Sequence, residues 1–294
     1  MTNSTMRSPE AVHKEMLEKG RQIRPSDIDP RYVPLKTLGH GYEGYIYLVR
    51  DQLTGRKLVL KVFHEPFTRE GVLVYADRVK SSQYGLHEIT LTQASGKIIA
   101  LHYPYEKLFP VDFRWPILPD CTRQALVGQF CLMQWYLMSQ HGLGVIDPVT
   151  SNFLMADDGQ FHYIDYGLGL RTVTDSGTLA RGFFGYGFAM LLLSIYNINL
   201  RAEMPFVLDY AYDRPCIYNL CGALDRVAAR HLWIRKILSE VRSRNAAIFL
   251  DPVFYWRLGT SLHQRVCFPH LVIETTRFMN FLRRMRNRAW PKNH

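Results

Sequence analysis

The sequence lacks the cysteine pattern of a metal site or a disulfide framework. Its five cysteines are spread over 294 residues, at positions 121, 131, 216, 221 and 267, and no two of them form a CxxC pair. Zinc ligands usually come in such short spacings, and small secreted proteins depend on paired cysteines, so both classes are disfavoured. We expect buried apolar thiols in a reducing, cytoplasmic compartment.

Long apolar runs are lacking as well. The longest mainly apolar run, Phe188–Ile195, is much shorter than the roughly 20 residues that cross a bilayer. The stretch MTNSTMRSPE at the start has no apolar core behind a positively charged end, so it does not read as a secretory signal. We therefore expect no transmembrane segment and a cytoplasmic location, with secretion by a route without a cleaved signal as the alternative.

Acidic residues are in the minority, with 26 Asp and Glu against 36 Lys and Arg, which gives a formal net charge of +10. The basic residues are enriched after residue 225, so an acidic partner for the C-terminal region is one hypothesis and a solvated basic face is the other. No zinc-finger or RNA-binding signature supports a nucleic-acid reader. An amphipathic last helix is predicted from the spacing of Phe278, Phe281, Leu282 and Met285.

The periodicity of the sequence changes along the chain. Residues 1–30 are polar and are predicted to form a peripheral extension with a helix that begins near Ser8-Pro9. Residues 31–110 alternate as strands, apart from one helical stretch within 67–83, and residues 111–294 are mainly helical. This order predicts an α+β protein with a boundary near residues 105–118.

Two features of the strand-rich part suit phosphate binding. The stretch GHGYEG is followed directly by YIYLV, so its glycines join two strands, where backbone amides can approach a polyphosphate without an intervening Cβ. Lys61 lies seventeen residues after Gly44 on the apolar strand LVLKVF, where an ammonium group needs a partner. An edge lysine that reaches solvent is the alternative.

Three polar residues follow the long helix of the second part. Asp147 and Asn152 lie five residues apart in the loop GVIDPVTSN, and Asp165 comes thirteen residues after Asn152, beyond a short predicted hairpin. Such a hairpin returns Asn152 and Asp165 to the same end, close enough to share a metal ion. An aspartate and an asparagine suit a base that orients a hydroxyl group and a neutral Mg²⁺ ligand.

With these motifs in this order, residues 35–200 resemble the protein kinase family, most closely its atypical members. GHGYEG resembles the glycine-rich loop, LVLKVF the third-strand lysine motif, IDPVTSN the catalytic loop and DYG the metal-binding DFG motif. The resemblance implies a two-lobed fold with a β-rich N-lobe (31–110) and a mainly helical C-lobe (111–294). It also implies an ATP- and Mg²⁺-dependent kinase that phosphorylates serine or threonine in proteins.

The resemblance assigns a role to each candidate residue. Lys61 would hold the α- and β-phosphates, Asp147 would orient the acceptor hydroxyl, and the Mg²⁺ ligands would be Asn152 and Asp165. ATP would be covered by the loop residues Gly39, His40, Gly41, Tyr42, Glu43 and Gly44. As the helix acid that pairs with Lys61 we favour Asp77, with Glu70 and then Glu88 as alternatives.

The sequence also departs from the family. Val149 stands where protein kinases usually carry a lysine, Val145 and Ile146 replace the usual His-Arg, and no APE-like motif follows DYG. These changes affect substrate docking and regulation more than nucleotide binding. They leave two alternatives open, a small-molecule kinase and a pseudokinase that binds a nucleotide or a partner without phosphoryl transfer.

Overall fold

The computed structural model describes residues 23–41, 43–80, 83–110, 120–156, 160–167, 169–173, 177–196, 224–225, 227–244 and 246–265. These residues divide into two compact units, the first drawn from 1–82 and 87–107 and the second from 83–86 and 108–294. The predicted N-terminal helix, the amphipathic segment around Phe278 and the loop residue Tyr42 lie outside the described residues.

The first unit is built on an antiparallel sheet of five strands in the order β1-β2-β3-β5-β4. A short helix, α1 (Pro25–Ile28), precedes the sheet, and α2 (Glu70–Arg78) connects β3 to β4. The strands are β1 (Tyr32–His40), β2 (Gly44–Asp51), β3 (Lys57–Phe67), β4 (Thr90–Ala94) and β5 (Lys97–Pro104). The helix predicted within 67–83 is present but is shorter than that stretch.

The alternation of side chains along these strands gives the sheet an apolar core. Leu58, Leu60 and Val62 of β3 pack in one cluster with Val49 of β2, and each is at most 8% exposed. Residues two apart on a strand point to the same face, so apolar residues at this spacing bury one face together. Burial of this kind fixes the register of β3, the strand that carries Lys61.

The second unit is mainly helical. Its helices are α3 (Asp120–Tyr136), α4 (Gly177–Ser194), α5 (Leu232–Arg244) and α6 (Pro252–Arg265), and the turn Leu137–His141 has π-helical hydrogen bonding. Short strands connect α3 to α4, and 3₁₀ turns lie at Gln83–Gly85, Thr150–Asn152 and Ala246–Leu250. The α+β order predicted from periodicity, a sheet followed by helices, is confirmed.

The short strands of the second unit form two small antiparallel sheets. One has the order β6 (Phe109–Pro110), β8 (Phe153–Met155), β9 (Phe161–Tyr163), and the other pairs β7 (Leu143–Val145) with β10 (Leu170–Thr172). Both sheets flank the segments that carry Asp147, Asn152 and Asp165.

An aromatic cluster supports these sheets from the helices. The ring of Phe188 on α4 lies 6.3 Å from that of Phe130 on α3 and 5.9 Å from that of Phe254 on α6. Edge-to-face and offset contacts at such distances are favourable beyond their buried area. The run around Phe188 is therefore a buried core helix, and no described helix is long and apolar enough to cross a membrane.

Candidate functional site

The glycine-rich stretch forms the tip of the β1–β2 hairpin, as its sequence context predicts. Gly39 pairs with Ile46 and His40 with Tyr45, and the Gly41 amide donates a hydrogen bond to the Gly44 carbonyl at 2.9 Å. The loop thus joins two strands and does not open a helix.

The three glycines of this loop are there for different reasons. A Cβ at Gly44 would lie 2.0 Å from the Val62 carbonyl oxygen, so the close approach of β2 to β3 requires glycine at this position. A Cβ at Gly39 or Gly41 would meet no other atom within 4 Å. Open space therefore lies on the side of these two residues where a side chain would stand.

Lys61 lies in the middle of the sheet on β3, opposite Ile46 of β2 and Leu101 of β5. The residue is only 8% exposed, which is rare for a lysine that has no anionic neighbour. Its ammonium makes an ion pair with the Glu43 carboxylate, and the ring of Phe63 lies 5.4 Å from Nζ. A charge is therefore held in an otherwise apolar sheet by a carboxylate and an aromatic face.

The acid that pairs with Lys61 differs from the one that the sequence suggested. We favoured Asp77 on α2, with Glu70 or Glu88 as alternatives, but all three are exposed and Glu43 of the glycine loop is the acid observed on Lys61. Sequence reasoning placed Glu43 over the nucleotide and missed it as the partner of Lys61, because its position opposite β3 comes from strand pairing across the hairpin. A backbone hydrogen bond shows this pairing, since the His64 amide of β3 donates to the Glu43 carbonyl at 2.8 Å.

In the second unit the structure brings Asp147, Asn152 and Asp165 together. The Asn152 side-chain amide donates to the Asp147 carbonyl at 2.8 Å and lies 3.4 Å from a carboxylate oxygen of Asp147 and of Asp165. The expectation that the hairpin returns Asn152 and Asp165 to one end is confirmed. Two carboxylates and one amide now surround a single point.

Backbone pairing explains why these residues converge. In the β8–β9 hairpin the Ile164 amide donates to the Asn152 carbonyl at 3.0 Å, which places Asp165 beside Asn152. The β7–β10 pairing then continues through the Ile146 amide, which donates to the Gly169 carbonyl at 2.8 Å, next to Asp147.

Gly169 is required where the chain turns after DYG. A Cβ at this position would lie 2.0 Å from the Tyr163 hydroxyl oxygen and 3.1 Å from a carboxylate oxygen of Asp165. The reason for glycine at this position is therefore steric.

Helix α4 packs directly on the loop that carries Asp147. A Cβ at Gly187 would lie 2.4 Å from the Ile146 carbonyl oxygen, and one at Gly144 would lie 2.2 Å from the Phe184 ring. At the end of α4, the Ser194 hydroxyl accepts a hydrogen bond from the Thr150 amide at 3.3 Å. Helix and loop are therefore in contact on both sides of Asp147.

A buried glutamine on α3 holds the start of the same loop, and sequence reasoning did not identify it. Gln134 is fully buried, accepts a hydrogen bond from the Val145 amide at 2.9 Å and donates to the Val145 carbonyl at 3.4 Å. A signal was present, because a glutamine on the apolar face of a buried helix needs a polar partner.

The oxygen-rich set in the second unit fits a hard divalent cation. Asp165 offers a carboxylate oxygen, which Mg²⁺ prefers over nitrogen or sulfur ligands. Asn152 would offer its neutral carbonyl oxygen after rotation of the amide group, since its nitrogen faces both carboxylates here. Asp147 adds a second carboxylate within reach of the same amide. The oxygen donors are therefore chemically suited to Mg²⁺.

No protein-family model matches the chain, and no curated protein is similar enough to count as a match.

Proposed function

We propose that the protein is an ATP- and Mg²⁺-dependent phosphotransferase of the protein kinase type. The observation that carries the proposal is the grouping of Asp147, Asn152 and Asp165, in which one amide lies within 3.4 Å of two carboxylates. An acid to orient a hydroxyl group and an acid–amide pair for Mg²⁺ are the parts that phosphoryl transfer requires.

The first unit supports the proposal with parts suited to the nucleotide. Gly39 and Gly41 leave the hairpin tip open, and Lys61 supplies a buried positive charge on the next strand. In the proposed reaction these groups would neutralise and position the phosphates, and a Mg²⁺ ion held by Asn152 and Asp165 would offset developing charge. The Asp147 carboxylate accepts the hydrogen bond of the acceptor hydroxyl.

We propose a protein serine or threonine side chain as the acceptor, since the hairpin and catalytic-loop motifs resemble protein kinases more than small-molecule kinases. A second candidate, nucleotide binding without transfer, is favoured by one observation. The loop between Asp147 and Asn152 is PVTS and contains no basic residue for the γ-phosphate.

Transfer of label from ATP tests these assignments. With Mg²⁺ and γ-labelled ATP, the wild-type protein is expected to label itself or proteins of a cell extract, and Asp165→Asn is expected to remove the label. Glu240→Gln, an exposed acid of the same unit, is the matched control and should keep it. A second reaction with small metabolites in place of the cell extract shows whether the label goes to a small molecule or to a protein.

The outcomes are distinct. Nucleotide binding without label on any acceptor supports the second candidate and removes the first. The absence of any nucleotide binding by wild-type protein, measured by calorimetry with Mg²⁺, contradicts both. Cooperative thermal unfolding of Asp165→Asn must be retained for its loss of label to count.

A further inference from the structure

We infer that Glu43 restrains nucleotide binding by holding Lys61 in an ion pair that the phosphates of the nucleotide must replace. The inference rests on the proposed function, since it assumes that Lys61 is a phosphate-binding residue. It makes Glu43 a determinant of nucleotide affinity within the glycine loop itself.

The ion pair between Lys61 and Glu43 is buried. The side chains of Lys61 and Glu43 are 11% and 14% exposed, so water screens their attraction far less than it screens a surface pair. A carboxylate so placed cancels the lysine charge and repels any anion that approaches the ammonium. A polyphosphate therefore meets a neutral pair in place of a free cation.

Glu43 lies at a bend just before β2, whose first residue, Gly44, pairs with Phe63 of β3. Outside a regular strand, side chains are not bound to strict alternation between the two faces. Glu43 can therefore turn to Lys61, which shares a strand face with Phe63.

The loop is held in this conformation. The Gly41 amide donates to the Gly44 carbonyl at 2.9 Å, and the Gly41 carbonyl accepts a hydrogen bond from Nε2 of His64 at 3.3 Å. The His64 amide fixes the Glu43 carbonyl at 2.8 Å, and the ring of Tyr45 packs edge-on against His64 at 5.0 Å. The carboxylate that faces Lys61 is thus carried by a residue whose backbone is hydrogen-bonded to β3.

The proposed competition for Lys61 involves only the Glu43 carboxylate and the phosphates of the nucleotide. A lysine ammonium has three N–H donors, which can bind carboxylate or phosphate oxygens. A nucleotide gains the lysine fully only when the Glu43 carboxylate withdraws or loses its charge. The same loop in which Gly39 and Gly41 leave open space for a ligand therefore carries the anion that competes for the phosphate site.

Equilibrium binding of MgADP to the full chain, measured by calorimetry, tests the inference without any turnover. Glu43→Gln is expected to bind about tenfold more tightly than wild type, because the competing charge is gone while the size of the side chain is kept. Glu65→Gln, an exposed acid on the same strand as Lys61, removes the same charge and should leave the affinity unchanged.

A double-mutant cycle shows whether the effect acts through Lys61. On a Lys61→Met background, Glu43→Gln should no longer tighten binding. Glu43→Asp keeps the charge but shortens the side chain by one methylene, and a smaller gain in affinity is expected from it. If Glu43→Gln does not unfold cooperatively, and is therefore not properly folded, the affinity of Glu43→Asp decides the test.

Equal affinities of wild type and Glu43→Gln, or weaker binding by a folded Glu43→Gln, overturn the inference. Weaker binding would show that Glu43 positions Lys61 for the nucleotide, as a helix acid does in the kinase family. If neither wild type nor any variant binds MgADP, the proposed function fails, and the inference with it. Tighter binding by Glu65→Gln as well would reduce the effect to net charge and also overturn the inference.

Discussion

Replacement of Gln134 by leucine tests how much the hydrogen bonds between Gln134 and Val145 stabilise the loop that carries Asp147. Gln134 is fully buried on α3 and is hydrogen-bonded to both the amide and the carbonyl of Val145, two residues before Asp147. Leucine is similar in size and apolar. The substitution therefore removes both hydrogen bonds with little change in packing volume.

The magnitude follows from the two backbone groups that lose this partner. A buried polar group left without a hydrogen bond costs about 1–3 kcal/mol, and here the amide at 2.9 Å outweighs the carbonyl at 3.4 Å. We expect Gln134→Leu to lower the free energy of unfolding by about 2 kcal/mol. For a unit of about 150–250 residues, 1 kcal/mol shifts the unfolding midpoint by about 2–4 °C, so a decrease of about 4–8 °C is expected.

Tryptophan fluorescence is the right assay, because all five tryptophans lie at positions 115, 135, 233, 256 and 290, within the second unit. Urea or thermal unfolding followed in this way reports the unit that contains Gln134. Gln140→Leu, at an exposed position of the following turn, is the control and should change stability by less than about 0.5 kcal/mol. A loss below that value for Gln134→Leu would refute the role given to its hydrogen bonds.

Three further outcomes are expected. Gly44→Ala should destabilise the first unit by about 1–3 kcal/mol, because the new Cβ would lie 2.0 Å from the Val62 carbonyl oxygen. Gly41→Ala is the control and should leave thermal stability unchanged, since its Cβ would meet no other atom within 4 Å. Equal effects of the two substitutions would contradict the steric explanation. Burial lowers the pKa of His102, so the unfolded chain takes up the proton first as the pH falls below about 6.5. Stability of the first unit should therefore decrease with falling pH until the folded imidazole also titrates, and His102→Asn should reduce that slope, as measured by hydrogen exchange of β5. Asp120→Ala removes the acceptor of the Tyr196 hydroxyl at 2.7 Å and of the Trp233 indole at 3.1 Å, and it should lower the free energy of unfolding by about 2–4 kcal/mol in chemical denaturation. Asp225→Ala removes one partner of an exposed ion pair and should lower it by less than about 1 kcal/mol. A larger loss for Asp225→Ala than for Asp120→Ala would refute this reasoning.

Part of the candidate site could be predicted from spacing alone. Asn152 and Asp165 flank a short apolar hairpin, and a hairpin returns its two ends to one place, so their proximity follows from local sequence. The glycine loop was predictable for the same reason, since strand-forming residues border it on both sides.

The partner of Lys61 could not be predicted in this way. Sequence distance and helical periodicity pointed to Asp77 on α2, but the side chain of Asp77 is exposed and a bend before β2 directs Glu43 to the lysine. Local patterns do not encode which side chain a bend directs across a hairpin, because that depends on the register of the neighbouring strand. The kinase-like fold and activity stay predictions.

The sequence by itself determined the order of a sheet and then helices, the hairpins, and the candidate residues Asp147, Asn152 and Asp165, because alternation, helical spacing and turn residues are local properties. Tertiary structure decided which contacts these residues make. Gln134 meets Val145, Gly187 meets Ile146 and Glu43 meets Lys61 only when elements distant in sequence, or strands across a bend, pack at close range. Packing geometry is a property of the whole fold, and no single segment contains it.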